Sequence, residues 1–245
     1  MELDLLVSVP SRDRPIELSE TLDMLCNTAG NLTSVDIQVV VDRDQTDLYD
    51  SVMKQYPDII WDIVEPSHNG WLNIYGAQHE YFIKGNYYFF WFVTDDMSGL
   101  TNNWAQAIFD KKSVFPDNLF CLYTRTIAMS RDARQAAICY KDNINVHEHL
   151  PIWTRQWGDF LIPLFRQGSK YVVYRELILA ALLRLLFIEH SENRNVICDI
   201  DYKSVINHGN SAKYGQFWYD LVNNDYNELR PIAKRIKEYI DESRR

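Results

Sequence analysis

Apolar residues in the first half of the chain fall into two alternating kinds of run. Short runs rich in β-forming residues occupy 3–9, 35–41, 59–64 and 87–93, and each reads as a strand. Between them the apolar positions recur at helical spacing. Leu18, Leu22 and Leu25 follow Pro15, which suits the first turn of a helix, and Ala29-Gly30-Asn31 ends that helix. Leu48 and Val52 give the next helix an apolar face, with Asp44 placed to cap it and Pro57 to stop it. Residues 71–83 read as a third helix, closed by Gly85. This alternation of strand and helix is the signature of a parallel sheet covered by helices. The run at 87–93, Tyr-Tyr-Phe-Phe-Trp-Phe-Val, carries no charge and is expected to be buried on both faces.

The second half is less regular. Residues 100–112 read as a helix with Trp104 and Ile108 turned inward, and 119–123 as a fifth strand. Residues 124–142 mix strand-like and helix-like pieces. Residues 147–165 place Trp153, Trp157 and Asp159 around a short helix, and 171–190 form a long apolar one. Residues 195–207 read as one or two strands, 208–215 as a Gly/Asn/Ser-rich mobile loop, and 229–240 as an amphipathic helix. With no internal repeat or low-complexity linker, residues 1–245 are expected to form one domain.

Composition narrows the function. A chain of 245 residues with 47% hydrophobic content is globular, and its 13% aromatic content suits a thick core or stacking surfaces for rings. A net charge of −9 excludes a broad phosphate-backbone footprint and so a nucleic-acid partner. A small phosphorylated ligand remains compatible if a divalent cation screens its charge. Cys26, Cys121, Cys139 and Cys198 are scattered without a CxxC pair, which fits reduced thiols. The start of the chain is too short and too acidic for a signal peptide. The longest apolar stretch, 171–188, is interrupted by Arg175, Glu176 and Arg184, so no transmembrane segment is expected. A cytoplasmic location follows as the expectation.

The chemistry concentrates after the strands. Ser11-Arg12-Asp13-Arg14-Pro15 follows the first, and the second ends in an acidic cluster of Asp42, Asp44 and Asp47. Asn69-Gly70 precedes the helix closed by Gly85, the apolar run at 87–93 leads into Thr94-Asp95-Asp96, and a late strand ends in His208. In open α/β sheets, ligands sit beyond the carboxyl ends of the strands. In this order the motifs resemble the GT-A glycosyltransferases, in particular their large inverting family-2-like branch. The resemblance is close over roughly residues 3–110 and loose beyond.

The resemblance implies a Rossmann-like, mostly parallel α/β sheet flanked by helices. Residues 1–112 would form the nucleotide-sugar-binding half, and 113–245 a smaller acceptor-binding half with a C-terminal helix. It implies a UDP- or GDP-sugar donor, a carbohydrate or other hydroxyl acceptor, and Mn²⁺ or Mg²⁺ as a Lewis acid on the leaving diphosphate. Asp95 and Asp96, if extended, point to opposite faces. By the resemblance Asp96 holds the metal, together with His208, and Asp95 faces ribose or sugar; the alternatives are that both acids cap the following turn and that His208 ends a strand and bonds backbone. Thr94 stands where the family has its first motif acid, which leaves the donor's identity open. Asp42 falls where the family meets base and ribose, and Asp44 is an alternative donor contact or merely a helix cap. Pro10, Ser11, Arg12 and Arg14 line the loop after the first strand, in reach of base or phosphate; a solvated loop is the alternative for both arginines. Asn69 and Lys213 complete the donor-side candidates, Lys213 as a partner of the diphosphate. Asp159, flanked by two indoles suited to stack on a sugar, is the candidate general base, with Glu148 the runner-up. The alternative for Asp159 is a helix cap, with both tryptophans in the core.

Two rival functions use similar parts. A sugar-1-phosphate nucleotidyltransferase calls for a Gly-rich phosphate loop after the first strand, and Val9-Pro10-Ser11-Arg12 contains no glycine. A nucleotide- or carbohydrate-binding module without catalysis is compatible with Thr94 in place of the first motif acid.

Overall fold

A computed structural model of the chain describes residues 3–66, 72–128, 152–166, 175–204 and 226–245. Its first half alternates as the sequence predicts: β1 (Leu3–Ser11), α1 (Pro15–Thr28), β2 (Val35–Asp42), a 3₁₀ turn at Arg43–Gln45, α2 (Thr46–Gln55), β3 (Ile60–Val64), α3 (Leu72–Lys84) and β4 (Tyr87–Phe92). Then follow β5 (Met97–Ser98), α4 (Trp104–Phe109), β6 (Cys121–Ala128), β7 (Ile152–Thr154), α5 (Arg155–Arg166), α6 (Arg175–His190), β8 (Asn195–Ser204) and α7 (Tyr226–Ser243). The strands form one sheet in the order β3-β2-β1-β4-β7-β6-β8-β5. β1 pairs in parallel with both β2 and β4, β2 with β3, and β6 with β8. β7 runs antiparallel between β4 and β6, and β5 antiparallel along the β8 edge. The fold is therefore α/β with a mostly parallel mixed sheet.

The chain leaves β1 through α1 to build β2 and β3 on one side, then returns through α3 to place β4 on the other. Connections reverse direction between β1 and β4, which makes the carboxyl ends of these two strands the switch point of the sheet. The core lies along the same strands. Phe89, Phe90 and Trp91 of β4 and Leu5, Leu6 and Val7 of β1 are fully buried, as are Leu18, Leu22 and Leu25 of α1.

Four sequence expectations are corrected. The helix expected over 100–112 forms only at Trp104–Phe109. Before it, Gly99 and Asn103 take positive φ, Thr101 N–H donates to the carbonyl of Asp201, and Asn103 N–H donates to that of Thr28. These long-range bonds hold 99–103 out of the helix. Trp153 and Trp157 are core residues rather than sugar platforms: Trp153 pairs across from Phe90 in β7, and both indoles are buried. Leu48 is 46% exposed, and Tyr49 with Val52 forms the buried face of α2 instead. Asp44 caps no helix, because α2 begins at Thr46 without a side-chain cap and Asp44 meets Arg12.

Arg155 closes the amino-terminal side of β4. Its guanidinium donates to the carbonyls of Phe82, Ile83 and Gly85, the open end of α3. These are charge-assisted bonds at a helix carboxyl terminus. Arg155→Met is expected to cost about 2 kcal/mol of stability, read as a lower urea midpoint at unchanged slope.

Among the described residues no helix is long and apolar enough to cross a membrane, and Cys26, Cys121 and Cys198 are free thiols.

Candidate functional site at the β1–β4 switch point

Four segments converge at the carboxyl end of the sheet. Ser11 ends β1, Asp42 ends β2, Asp95 and Asp96 follow β4, and Tyr49 reaches in from α2. The loop from Ser11 to Pro15 crosses over them. Asp13 takes a left-handed φ of 60° there, a conformation that Asp tolerates better than most residues, and its N–H donates to Gln45 Oε1 at 3.3 Å.

The hydrogen bonds form one directed chain. Ser11 Oγ donates to Asp95 Oδ2 at 2.8 Å and lies 2.8 Å from the Tyr49 hydroxyl. Since the only Ser11 proton goes to Asp95, Tyr49 donates to Ser11. The Tyr49 oxygen in turn accepts the Arg14 backbone N–H at 3.2 Å. The loop backbone, α2 and the β4 carboxylate are thereby held in one register.

The side-chain charges sort into two groups. Arg14 Nη1 donates to Asp95 Oδ1 at 3.3 Å and to Asp96 Oδ2 at 3.0 Å. Arg12 pairs with Asp42, with Asp44 at 3.2 Å and with Asp13 at 3.7 Å. Five carboxylates thus face two guanidiniums. Asp95 is buried, and burial pushes its carboxyl above the ordinary range, with Asp96 adding to the rise while Ser11 and Arg14 oppose it. Asp42 is 3% exposed, and its second oxygen, Oδ1, is buried with no hydrogen-bond partner among the described residues. An orphaned carboxylate oxygen at a rim is a position where a ligand donor relieves a cost.

The structure brings together Ser11, Arg12, Arg14, Asp42, Asp44, Asp95 and Asp96, with Pro10 inside β1 just behind them. The expectation that Asp95 and Asp96 point to opposite faces is corrected. The chain turns at these two residues, outside the strand, so pleat alternation does not apply and both carboxylates reach Arg14. Asp159 is not brought to this rim. It lies on α5 with a 63% exposed side chain, 3.6 Å from Arg155 Nε, beside the amino-terminal end of β4. The six residues of β4 separate the two ends by roughly 20 Å. Asn69, Glu148, His208 and Lys213 lie outside the described residues. Tyr49, which sequence reasoning passed over, is the residue that ties the loop to Asp95. Its signal was a buried-face spacing, three residues before Val52.

The donor set suits a hard divalent cation. Mg²⁺ and Mn²⁺ take carboxylate oxygens and complete their shells with phosphate oxygens and water. Asp95 and Asp96 offer such oxygens on a rim where acid exceeds base. Among the described residues no group of three His, Cys, Asp or Glu forms a metal site.

Solved structures with this fold are numerous. TarS of S. aureus (residues 1–349) superposes with a TM-score of 0.53 at 15% identity, covering 82% of this chain and 60% of TarS. The mannosyltransferase PcManGT from Pyrobaculum calidifontis, in complex with GDP-Man and Mn²⁺, superposes with a TM-score of 0.56 at 14% identity, covering 86% of this chain and 59% of that one. The chain has a GT-A-like glycosyltransferase fold. It spans about three fifths of the length of both structures. TarS also matches in its complex with UDP-GlcNAc, with a TM-score of 0.52 at 14% identity, covering 86% of this chain and 60% of TarS. No protein-family model and no curated protein matches the sequence. Within the GT-A-like fold, the described acidic rim occupies the switch point, where open α/β sheets receive their ligands.

Proposed function

We propose that the chain is a metal-dependent glycosyltransferase that moves a sugar from a nucleoside-diphosphate sugar to an acceptor hydroxyl. The observation that carries this reading is the acidic rim: five carboxylates on two guanidiniums at the switch point, one of them buried with an oxygen that has no partner among the described residues. Asp42 Oδ1 accepts an N–H of the donor base, uracil or guanine, or a ribose hydroxyl. Asp96 and Asp95 hold Mn²⁺ or Mg²⁺, with His208 as a further ligand. When bound, the cation neutralises charge that develops on the leaving diphosphate. Arg12 and Arg14 face base or phosphate, and Ser11 orients Asp95. Asn69 and Lys213 belong to the same donor side. Residues 1–112 serve the donor and 113–245 the acceptor. Neighbours of this fold bound to UDP-GlcNAc and to GDP-Man with Mn²⁺ support the donor class.

The acceptor hydroxyl needs a base. β7 begins at Ile152, which pairs with Trp91 near the site end of β4, and Glu148 precedes it by four residues. Glu148 is therefore the base in this proposal, and Asp159 is not. Glu148→Gln is expected to lower turnover about 10²-fold at unchanged nucleotide affinity, while Asp159→Asn leaves both unchanged. The reverse pattern would restore Asp159.

A panel of UDP- and GDP-sugars with mixed hydroxyl acceptors tests the function. Release of nucleoside diphosphate that requires Mn²⁺ or Mg²⁺ supports it. Pyrophosphate release identifies a nucleotidyltransferase, and tight binding without turnover identifies a binding module.

A further inference from the structure

We propose that Arg14 is the resting counter-cation of Asp95 and Asp96, and that a divalent cation loads only when a nucleoside diphosphate draws the guanidinium away. This rests on the metal-dependent reading above and adds what controls loading. Arg14 Nη1 lies 3.3 Å from Asp95 Oδ1 and 3.0 Å from Asp96 Oδ2, so a single positively charged nitrogen bridges the two carboxylates. A metal ion coordinated by the same carboxylates meets that charge at close range in a half-buried setting, where like charges repel strongly. Guanidinium and metal ion therefore exclude one another.

The exchange needs only the side chain to move. The Arg14 backbone is fixed by its N–H on the Tyr49 hydroxyl and by Pro15, the first residue of α1. Its side chain is 37% exposed and so has a path outward. The other rim arginine, Arg12, is already held by Asp42 and Asp44. What draws Arg14 off must be an anion with oxygens matched to the planar fork of a guanidinium, and a diphosphate is such an anion. It also brings phosphate oxygens to complete a hard cation's shell beside the two carboxylates. Nucleotide and cation then favour one another reciprocally, since each binds better once the other has helped displace Arg14. In the resting protein the bridge also keeps two neighbouring carboxylates compensated, so the site is held together without a metal.

Mn²⁺ titration followed by electron paramagnetic resonance tests the proposal on the full chain, with wild type and Arg14→Gln, each with and without UDP or GDP. The Mn²⁺–nucleotide complex formed in buffer is subtracted. For wild type, affinity for Mn²⁺ is expected to rise about tenfold or more with nucleotide. Arg14→Gln is expected to bind Mn²⁺ alone about tenfold more tightly than wild type alone, and to lose most of the nucleotide dependence. Equal or weaker binding of Mn²⁺ alone by a folded Arg14→Gln chain overturns the gate, while nucleotide-dependent Mn²⁺ uptake by wild type would leave the metal site standing. No Mn²⁺ uptake by either chain with either nucleotide overturns both. If Arg14→Gln fails to fold, the wild-type chain decides the matter by nitrogen-detected resonances of its arginine side chains. A guanidinium signal that moves with Mg²⁺ and UDP or GDP together, and not with Mg²⁺ alone, supports the gate. Signals that do not move overturn it.

Discussion

Asp96→Ala is expected to weaken Mn²⁺-dependent binding of the nucleoside diphosphate about 100-fold or more while the protein stays folded. Loss of a group that merely orients a metal ligand typically costs ten- to a hundredfold, so loss of a ligand sets that as a floor. The Asp96 side chain is 14% exposed, and Arg14 is its partner on the rim. Removing it takes no apolar surface from the core and leaves Arg14 paired with Asp95. Thermal midpoints of variant and wild type should therefore agree within a few degrees without ligand. They should diverge when Mn²⁺ and nucleotide are added, because only wild type gains binding stabilisation. Calorimetric titration reads the affinity directly, and an unchanged value would remove Asp96 from the metal site. Asp95 behaves differently. Its carboxyl is raised by burial, so the folded chain holds that proton more tightly than the unfolded chain does. Its contribution to stability is therefore greatest in acid and falls as pH rises through the interval between the ordinary and the raised value. Asp95→Asn should flatten that part of the ligand-free stability profile while abolishing metal-dependent binding.

The difference between these two neighbours could not be read from the sequence, for a geometric reason. Thr94-Asp95-Asp96 after an apolar strand predicts a rim position correctly. Pleat alternation then assigns opposite faces only if the strand continues, and the strand stops at Phe92. The parallel half of the fold was legible because strands covered on both faces leave unbroken apolar runs, as at Val39-Val40-Val41 and in β4. β7 was not, because three residues inside an aromatic-rich stretch carry no period and owe their strand state to Phe90 on one side and Cys121 on the other. Trp153 and Trp157 show the same limit. An indole beside an acid suggests a sugar platform, but what an indole faces depends on elements far away in sequence. The i,i+4 spacing of Arg155 and Asp159 is a local signal of the ion pair the helix face shows.

The amino-terminal end of the sheet is held by charge rather than prepared for it, and Arg194→Met is expected to have the largest effect on stability. Arg194 has no exposed side-chain surface and Asp117 has 2%. Arg194 Nη1 lies 2.9 Å from Asp117 Oδ2, Nη2 lies 3.3 Å from Glu192 Oε2, and the guanidinium stands 4.5 Å from the centre of the Phe115 ring. Glu192 also accepts from both terminal nitrogens of Arg244, just past the end of α7, at 2.8 and 3.0 Å, and the Tyr239 hydroxyl of α7 donates to the Asp117 carbonyl at 3.2 Å. One buried guanidinium thus joins the loop before β6 to the turn before β8, and its two carboxylate partners carry the link on to the last helix and Arg244. Methionine fills much of the volume but leaves the Asp117 carboxylate buried without its counter-charge. Removing one partner of such a pair costs about 3–5 kcal/mol, a large share of the 5–15 kcal/mol typical of a folded domain. The midpoint should fall by about 10 °C in a chain of this size. Pairing Arg194→Met with Asp117→Asn should recover part of the loss, because the stranded charge is then gone; a double variant no more stable than the single one would show that Asp117 is not the source. The pH dependence gives a further check. Burial alone raises the Glu192 carboxyl, but the Arg244 hydrogen bonds and the charges of Arg194, Arg244 and Lys237 together hold it below its ordinary value. Its stabilisation is therefore complete above the unfolded value and is lost as pH falls through the lower folded one. Without Arg194 that depression shrinks, so urea melts should show the gap between wild type and Arg194→Met narrowing in acid.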